Sequence, residues 1–260
     1  MTTIIAPAAL ASDLTVDGIR LETCVWEGEG EPLLLLHEGL GSVSMWRDFP
    51  AQLAERTGRR TIAWSRQGYG LSDLLPGPRA PDYMHREAAA ALRFMDVLGI
   101  ERAVLLGHSD GGSIALLAAA AAPHRVTGLI LEAPHVFVEQ VTIDSIAGAK
   151  TIFETSDLPR RLGRYHQDVD HVFWTWNDIW VDPAFRDWNI ESCLPAVRAP
   201  ALLIQGLDDE YGTLEQLDRI EAALQGTRRL ELADCGHSPH RDHPKAVIGA
   251  IDTFLRTLTK

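Results

Sequence analysis

One nine-residue run, Val104-Leu105-Leu106-Gly107-His108-Ser109-Asp110-Gly111-Gly112, constrains this chain more than any other stretch. Four apolar residues, 103–106, run into a Gly-x-Ser-x-Gly pentapeptide, and a run rich in Ala and Leu follows over 113–122. A short apolar run that stops at glycine reads as a buried strand, and the Ala/Leu run reads as a helix. Ser109 therefore falls on a sharp turn between the two. Gly107 and Gly111 let strand and helix pass close together, where a Cβ would collide across the turn. The turn holds the serine hydroxyl beyond the sheet edge. The helix that starts behind it aims free backbone N–H groups, and its positive end, at the same place. Such a turn presents an oxygen nucleophile and the donors for an oxyanion together.

The same alternation runs through most of the chain. Strands are expected at 19–26, 33–36, 61–64, 126–131, 201–204 and 229–232, the first of them an edge strand by its rough alternation. Helices are expected at 46–57, 83–98, 214–224 and 246–258. Strand alternating with helix implies a mostly parallel sheet covered on both faces, with ligands bound beyond the carboxyl ends of the strands. His37, Ser109, Asp209 and His237 all stand just past such ends and should share one rim. The alternation breaks between 136 and 194, which holds no buried-strand run but carries four of the seven tryptophans. This segment reads as an inserted helical cap, 136–194, on a core made of 1–135 and 195–260.

Composition narrows the setting. A chain of 260 residues, 46% hydrophobic, suits one large α/β domain or two small ones. A formal net charge of −12 argues against nucleic acid and anionic membranes as partners. No apolar run reaches the length of a membrane-spanning helix. Cys24, Cys193 and Cys235 are far apart and odd in number, so neither a disulfide framework nor zinc spacing is expected. Residues 1–14 carry no basic residue ahead of their weakly apolar part, unlike a secretory leader. The expected compartment is a reducing cytoplasm.

Five segments together resemble the α/β-hydrolase family. Gly107-His108-Ser109-Asp110-Gly111 resembles its nucleophile elbow, and His37-Glu38-Gly39 its oxyanion His-Gly-x segment. Ser65-Arg66-Gln67-Gly68-Tyr69-Gly70-Leu71-Ser72 resembles its Arg-x-Gly-x-Gly-x-Ser loop. Gln205-Gly206-Leu207-Asp208-Asp209 resembles its strand-end acid, and Cys235-Gly236-His237-Ser238-Pro239 its histidine loop. The order Ser, Asp, His is the family's order. The resemblance implies a mostly parallel sheet with an inserted cap and a hydrolase that uses no metal and no organic cofactor.

The chemistry needs these residue types for its own reasons. A serine hydroxyl is a weak nucleophile and needs an adjacent base. A neutral imidazole takes its proton near pH 7, and a buried carboxylate fixes the imidazole tautomer. The candidates are Ser109, His237 and one of two aspartates. Asp209, at Gly206 plus three, matches the family's Gly-x-x-Asp, while Asp208 fits a turn one residue tighter. The oxyanion donors are the N–H of Asp110 and an N–H of the His37-Glu38-Gly39 turn, that of Gly39 or, if Glu38 is an insertion, that of Leu40. Glu38 departs from the family, where glycine is usual. It either points to solvent or a nearby cation, or meets substrate or cap. His108 precedes the nucleophile and either points back into the structure or joins the pocket wall. Trp174, Trp176 and Trp180 are candidates for the pocket roof.

The leading expectation is hydrolysis of a small to medium carboxylic ester through an acyl-enzyme on Ser109, by a monomer or homodimer acting on a small molecule. Lactone, thioester or carbon–carbon bond hydrolysis, a lyase and a perhydrolase use the same residues. A ligand receptor of the same fold is the non-enzymatic alternative. Epoxide hydrolysis and dehalogenation are disfavoured, because those relatives carry aspartate where this chain has Ser109.

Overall fold

The computed structural model describes residues 10–258; residues 1–9, part of the stretch read above against a leader, and residues 259 and 260 lie outside the described residues. Eight strands form one sheet: β1 Leu10–Val16, β2 Ile19–Trp26, β3 Leu33–Leu36, β4 Thr61–Trp64, β5 Ala103–His108, β6 Val126–Glu132, β7 Ala201–Gly206 and β8 Arg228–Leu232. Their order is β1-β2-β4-β3-β5-β6-β7-β8. β1 and β2 are antiparallel to their neighbours, and the remaining six strands are parallel. The sequence reading missed β1. Its Leu-Ala-Ser-Asp-Leu-Thr-Val run is half polar, and its place is set by seven register pairs with β2 across a two-residue turn.

The central strands are mostly apolar because both faces of the sheet are covered, with polar residues near their ends, such as His108, Glu132 and Gln205. Side chains alternate between two cores. Leu34 and Leu36 of β3, Leu105 of β5, Leu129 and Leu131 of β6, and Leu203 of β7 face one core. Leu33, Leu35, Val104, Leu106, Ile130, Leu202 and Ile204 face the other. The second core is closed by helix α1 Phe49–Thr57 and by the C-terminal helix Pro244–Leu258, through Phe49, Leu53, Ile251 and Phe254. The first is closed by α2 Tyr83–Val97 and α3 Asp110–Ala121. Each fully buried leucine stabilises this arrangement by about 1.5–3 kcal/mol.

Between β6 and β7 the chain forms three α-helices, α4 Gln140–Thr155, α5 Leu158–Leu162 and α6 Val169–Val181, two short 3-10 helices, Pro183–Phe185 and Glu191–Ala196, and no strand of the sheet. Phe153 of α4 stacks on Phe173 of α6, with ring centroids 3.8 Å apart. α7 Glu215–Ala223 follows β7, and after β8 come the short α8 Pro239–Asp242 and the C-terminal helix, here α9. Among the described residues no helix is long and apolar enough to cross a membrane.

The crossing at Ser109 is as tight as the glycines imply. A Cβ on Gly107 would lie 2.2 Å from the Gly111 carbonyl oxygen, and one on Gly111 would lie 2.0 Å from that of Leu36 at the end of β3. Backbone cannot yield as a flexible side chain does. Gly107→Ala is therefore expected to destabilise the protein by about 2–3 kcal/mol, read as a lower denaturant midpoint at unchanged m value. A midpoint equal to wild type would refute the crossing as described.

Candidate active site

The chain reverses its walk across the sheet at β3, which has β4 on one side and β5 on the other. Ligand crevices form at such switch points, and the ends of β3 and β5 carry the first two groups of the site. Ser109 has φ 54° and ψ −118°, a left-handed backbone that is strained for a non-glycine residue and is held by its neighbours. Its N–H donates to the Glu132 carbonyl of β6 at 2.9 Å, and its own carbonyl accepts from the Gly112 N–H at 2.8 Å. Asp110 is the first residue of α3, so its N–H is one of the helix's free donors.

The turn after β3 is braced from beneath. The Glu38 carbonyl accepts from Arg66 Nη2 at 2.9 Å, from the Gly41 N–H at 3.1 Å and from His37 Nδ1 at 2.7 Å. His37 Nε2 accepts from the Arg66 N–H at 3.1 Å, which fixes its tautomer. In a trans peptide the N–H lies opposite the C=O, so the Gly39 N–H points away from this cluster. On its other side Gly39 meets helix α6: a Cβ there would lie 2.3 Å from Cδ1 and Nε1 of Trp176. The indole fills the space that a side chain at 39 would need.

Asp209 and His237 meet at the ends of β7 and β8. His237 Nδ1 donates to Asp209, at 2.8 Å from Oδ1 and 2.9 Å from Oδ2. The Tyr211 N–H donates to Oδ1 and Gln205 Nε2 to Oδ2, each at 2.8 Å. Burial works to raise the pKa of this carboxyl, but His237 and the hydrogen bonds around it hold it below the usual value. Asp208, in contrast, is exposed and uses its N–H on the Cys235 carbonyl at 3.0 Å. Of the two sequence candidates, Asp209 is the one at the histidine.

Two side chains from the nucleophile's own strand and its neighbour grip the histidine segment. His108, the last residue of β5, donates from Nε2 to the His237 carbonyl at 2.6 Å. Glu132, the last residue of β6, accepts at Oε2 from the His240 N–H at 3.1 Å and from His240 Nδ1 at 2.8 Å. The segment that carries the imidazole is thus held at 237 and at 240. Neither grip was legible in the sequence.

Ser109 and His237 face one cavity of about 100 Å³. Ile146 of α4 and Trp176 and Trp180 of α6 form its apolar wall, and Gly39, Leu40 and Glu38 its wall on the β3 side. Thr142, His135 and Tyr211 complete it. The Tyr211 ring lies 4.7 Å from that of His237. His135 stands just past β6, where the strand-end rule points, yet the sequence reading did not single it out; Tyr211 and Ile146 carried no local signal.

Two expectations need correction. Trp174 does not face this cavity but an outer groove beside His171 and Arg79, packed on Phe153 and Phe173. Residues 176 and 180 are one turn apart on the same face of α6, and residue 174 is on the opposite face. His108 is also absent from the cavity wall. It lies beneath, 1% exposed, between His237, His240 and Trp46. Glu38 does line the cavity, and its Oε2 lies 3.4 Å from His108 Nδ1. Burial opposes charge on both partners, yet each favours it in the other: the Glu38 carboxyl is held well below the usual range and the His108 pKa is raised. Among the described residues no group of three or more His, Cys, Asp or Glu side chains could hold a metal ion.

Buried histidines make acid stability a readout of this region. Burial first, then Arg66 for His37 and His237 for His135, depress both pKa values, that of His135 to about 3. Below the ordinary value of 6.5 the unfolded chain takes up protons that the folded rings refuse, so stability falls with pH. His108 acts the opposite way. Its contribution is complete below its unfolded value and is lost as pH rises through the folded one. Below 6.5 His108 is protonated in both states and adds no slope, while His166, also depressed by burial, adds to the other two. Stability, read as the denaturant midpoint, is therefore expected to fall between about pH 6.5 and about pH 4, by up to about 1.4 kcal/mol per pH unit for each depressed ring. A midpoint flat over that range would contradict the assignment.

A strained serine between a parallel strand and a helix, with an Asp–His pair at the ends of the last two strands, defines a hydrolase of α/β architecture. The comparisons agree. The Alpha/beta hydrolase family matches residues 33–250, and the chain belongs to that family. It is 28% identical to "Serine hydrolase BPHL" of Mus musculus over 96% of this chain and 87% of that protein. It is 25% identical to "2-hydroxy-6-oxononadienedioate/2-hydroxy-6-oxononatrienedioate hydrolase" of Comamonas testosteroni, over 84% and 85% of the two chains. Among solved structures, an enol-lactonase from Burkholderia xenovorans superposes with a TM-score of 0.76 at 22% identity, over 94% of this chain and 100% of that one, a likeness of fold.

Proposed function

We propose that this protein hydrolyses a small to medium carboxylic ester through an acyl-enzyme on Ser109. The observation that carries the reading is the convergence of Ser109 and the Asp209-paired His237 on one small, largely apolar cavity. His237 takes the Ser109 proton as Oγ attacks the carbonyl carbon. The carbonyl π electrons move onto oxygen, where the N–H groups of Asp110 and Gly39 and the positive end of α3 stabilise the charge. Collapse expels the alkoxide, which takes the proton from His237. Water, activated by the same imidazole, then releases the acid. Asp209 keeps the ring in one tautomer and stabilises the imidazolium. His108 balances the Glu38 carboxylate, which would otherwise oppose the developing oxyanion.

In this reading the segment 136–194 is the lid, and Ile146, Trp176 and Trp180 keep water from the reacting atoms. A cytoplasmic setting is part of it, carried by the free thiols of Cys24, Cys193 and Cys235. The test is mass spectrometry after treatment with a fluorophosphonate, followed by turnover of matched esters, thioesters and lactones. A single adduct on Ser109 and fastest turnover of esters are expected. A folded protein without an adduct would overturn the reading.

A further inference from the structure

His135 is a buried titratable group that the mechanism leaves unused. It stands two residues after Ala133, whose φ of 46° is left-handed and strained for a residue with a Cβ. Its backbone is locked in place: the carbonyl accepts from Ser113 Oγ at 2.5 Å, and the N–H donates to the same oxygen at 3.3 Å. The residue is 1% exposed, and its side chain lines the cavity shared by Ser109 and His237. Nδ1 has no hydrogen-bond partner among the described residues. Trp180 packs edge-on against the ring, with centroids 5.3 Å apart. Nδ1 is enclosed beside Gly212, out of a ligand's reach, so the nitrogen that a molecule in the cavity can meet is Nε2, which also has no hydrogen-bond partner among the described residues.

We infer that His135 is a specificity-determining residue that hydrogen-bonds an uncharged oxygen, a hydroxyl or keto group, carried by the substrate a few bonds from the scissile carbonyl. The inference rests on Ser109 being the nucleophile and narrows the substrate class of that site. The oxygen is uncharged for two reasons. The imidazole stays neutral, with burial first and His237 second holding its pKa at about 3, so Nε2 meets the ligand as an uncharged donor or acceptor, according to the tautomer. The other charged groups at the cavity, Glu38 on its wall and Asp209 behind His237, would repel a carboxylate. The remaining walls, Leu40, Ile146, Trp176 and Trp180, offer an apolar fit to the rest of the molecule.

The experiment compares kcat/KM for two ester pairs that differ by one hydroxyl. One pair varies the acyl side, p-nitrophenyl butyrate against p-nitrophenyl 3-hydroxybutyrate. The other varies the alcohol side, ethyl butyrate against 2-hydroxyethyl butyrate. Wild type is expected to prefer the hydroxylated member of at least one pair by about three- to tenfold, the size of one hydrogen bond between neutral groups. His135→Phe, which keeps a ring and removes both nitrogens, should erase the preference. His135→Gln, which keeps a donor and an acceptor, should retain part of it. His135→Leu serves the same comparison if the Phe variant is insoluble. No preference in either pair, or one that survives loss of the imidazole, overturns the inference. Labelling of Ser109 by a fluorophosphonate separates the two failures. A labelled enzyme with flat ratios sinks this inference alone, and an unlabelled one sinks the reading beneath it.

Discussion

Replacing Ser109 with alanine is expected to reduce ester turnover by about a millionfold while leaving the fold intact. The large loss follows from the division of labour in the site. In the proposed mechanism His237, paired with Asp209, moves a proton, and without the Ser109 oxygen no acyl-enzyme can form. The fold is spared because the backbone at 109, not the hydroxyl, makes the structural contacts: its N–H to the Glu132 carbonyl and its carbonyl to Gly112 remain. Alanine meets the same left-handed φ of 54° as serine, so the strain is unchanged. The change in stability should stay within about 0.5 kcal/mol. Turnover on the best ester of the panel and a denaturant melt check both halves. A variant that keeps its melt and more than about a thousandth of wild-type turnover would remove Ser109 from the mechanism.

Asp209→Asn is expected to lower kcat by about ten-thousandfold with little change in KM. Three donors converge on this carboxylate, namely His237 Nδ1, the Tyr211 N–H and Gln205 Nε2. An amide has one accepting oxygen and a donating nitrogen, so one of the three must face another donor. The flexible partner is the imidazole, which turns or changes tautomer and presents the wrong nitrogen to Ser109. Asp208→Asn is the matched control. Asp208 is exposed, and among the described residues only its backbone is hydrogen-bonded, so turnover should match wild type. Equal losses in the two variants would show that the reading of the turn is wrong.

What the sequence discloses, and what it hides, follows the range of the interactions involved. The strand–turn–helix around Ser109 is local, written in consecutive apolar, glycine and alanine residues, and β5 and α3 lie within a few residues of their expected bounds. The strand-end rule puts His37, Ser109, Asp209 and His237 on one rim without any knowledge of distances. Long-range contacts are hidden. The grip of Glu132 on His240 joins residues 108 positions apart, and neither residue type announces it. β1 was missed because Ser12, Asp13 and Thr15 are polar and exposed, and two of them in succession break the alternation that marks a strand. Trp174 was misplaced for a simpler reason: composition marked the aromatic cluster, but only the helical phase of α6 decides which of its rings turn inward. His135 was within reach, since it follows a strand end as the named histidines do.

The indole of Trp176 sits where Gly39 has no side chain, and this gives α6 a second task. One helix both roofs the chamber and shores up the peptide that, in the proposed mechanism, meets the oxyanion. Any sway of α6 wide enough to admit a bulky substrate also slackens that peptide. Entry and readiness for reaction are then two readings of a single mechanical coordinate. Trimming the roof at Trp176 would widen the range of substrates admitted at the expense of the rate at which each is turned over.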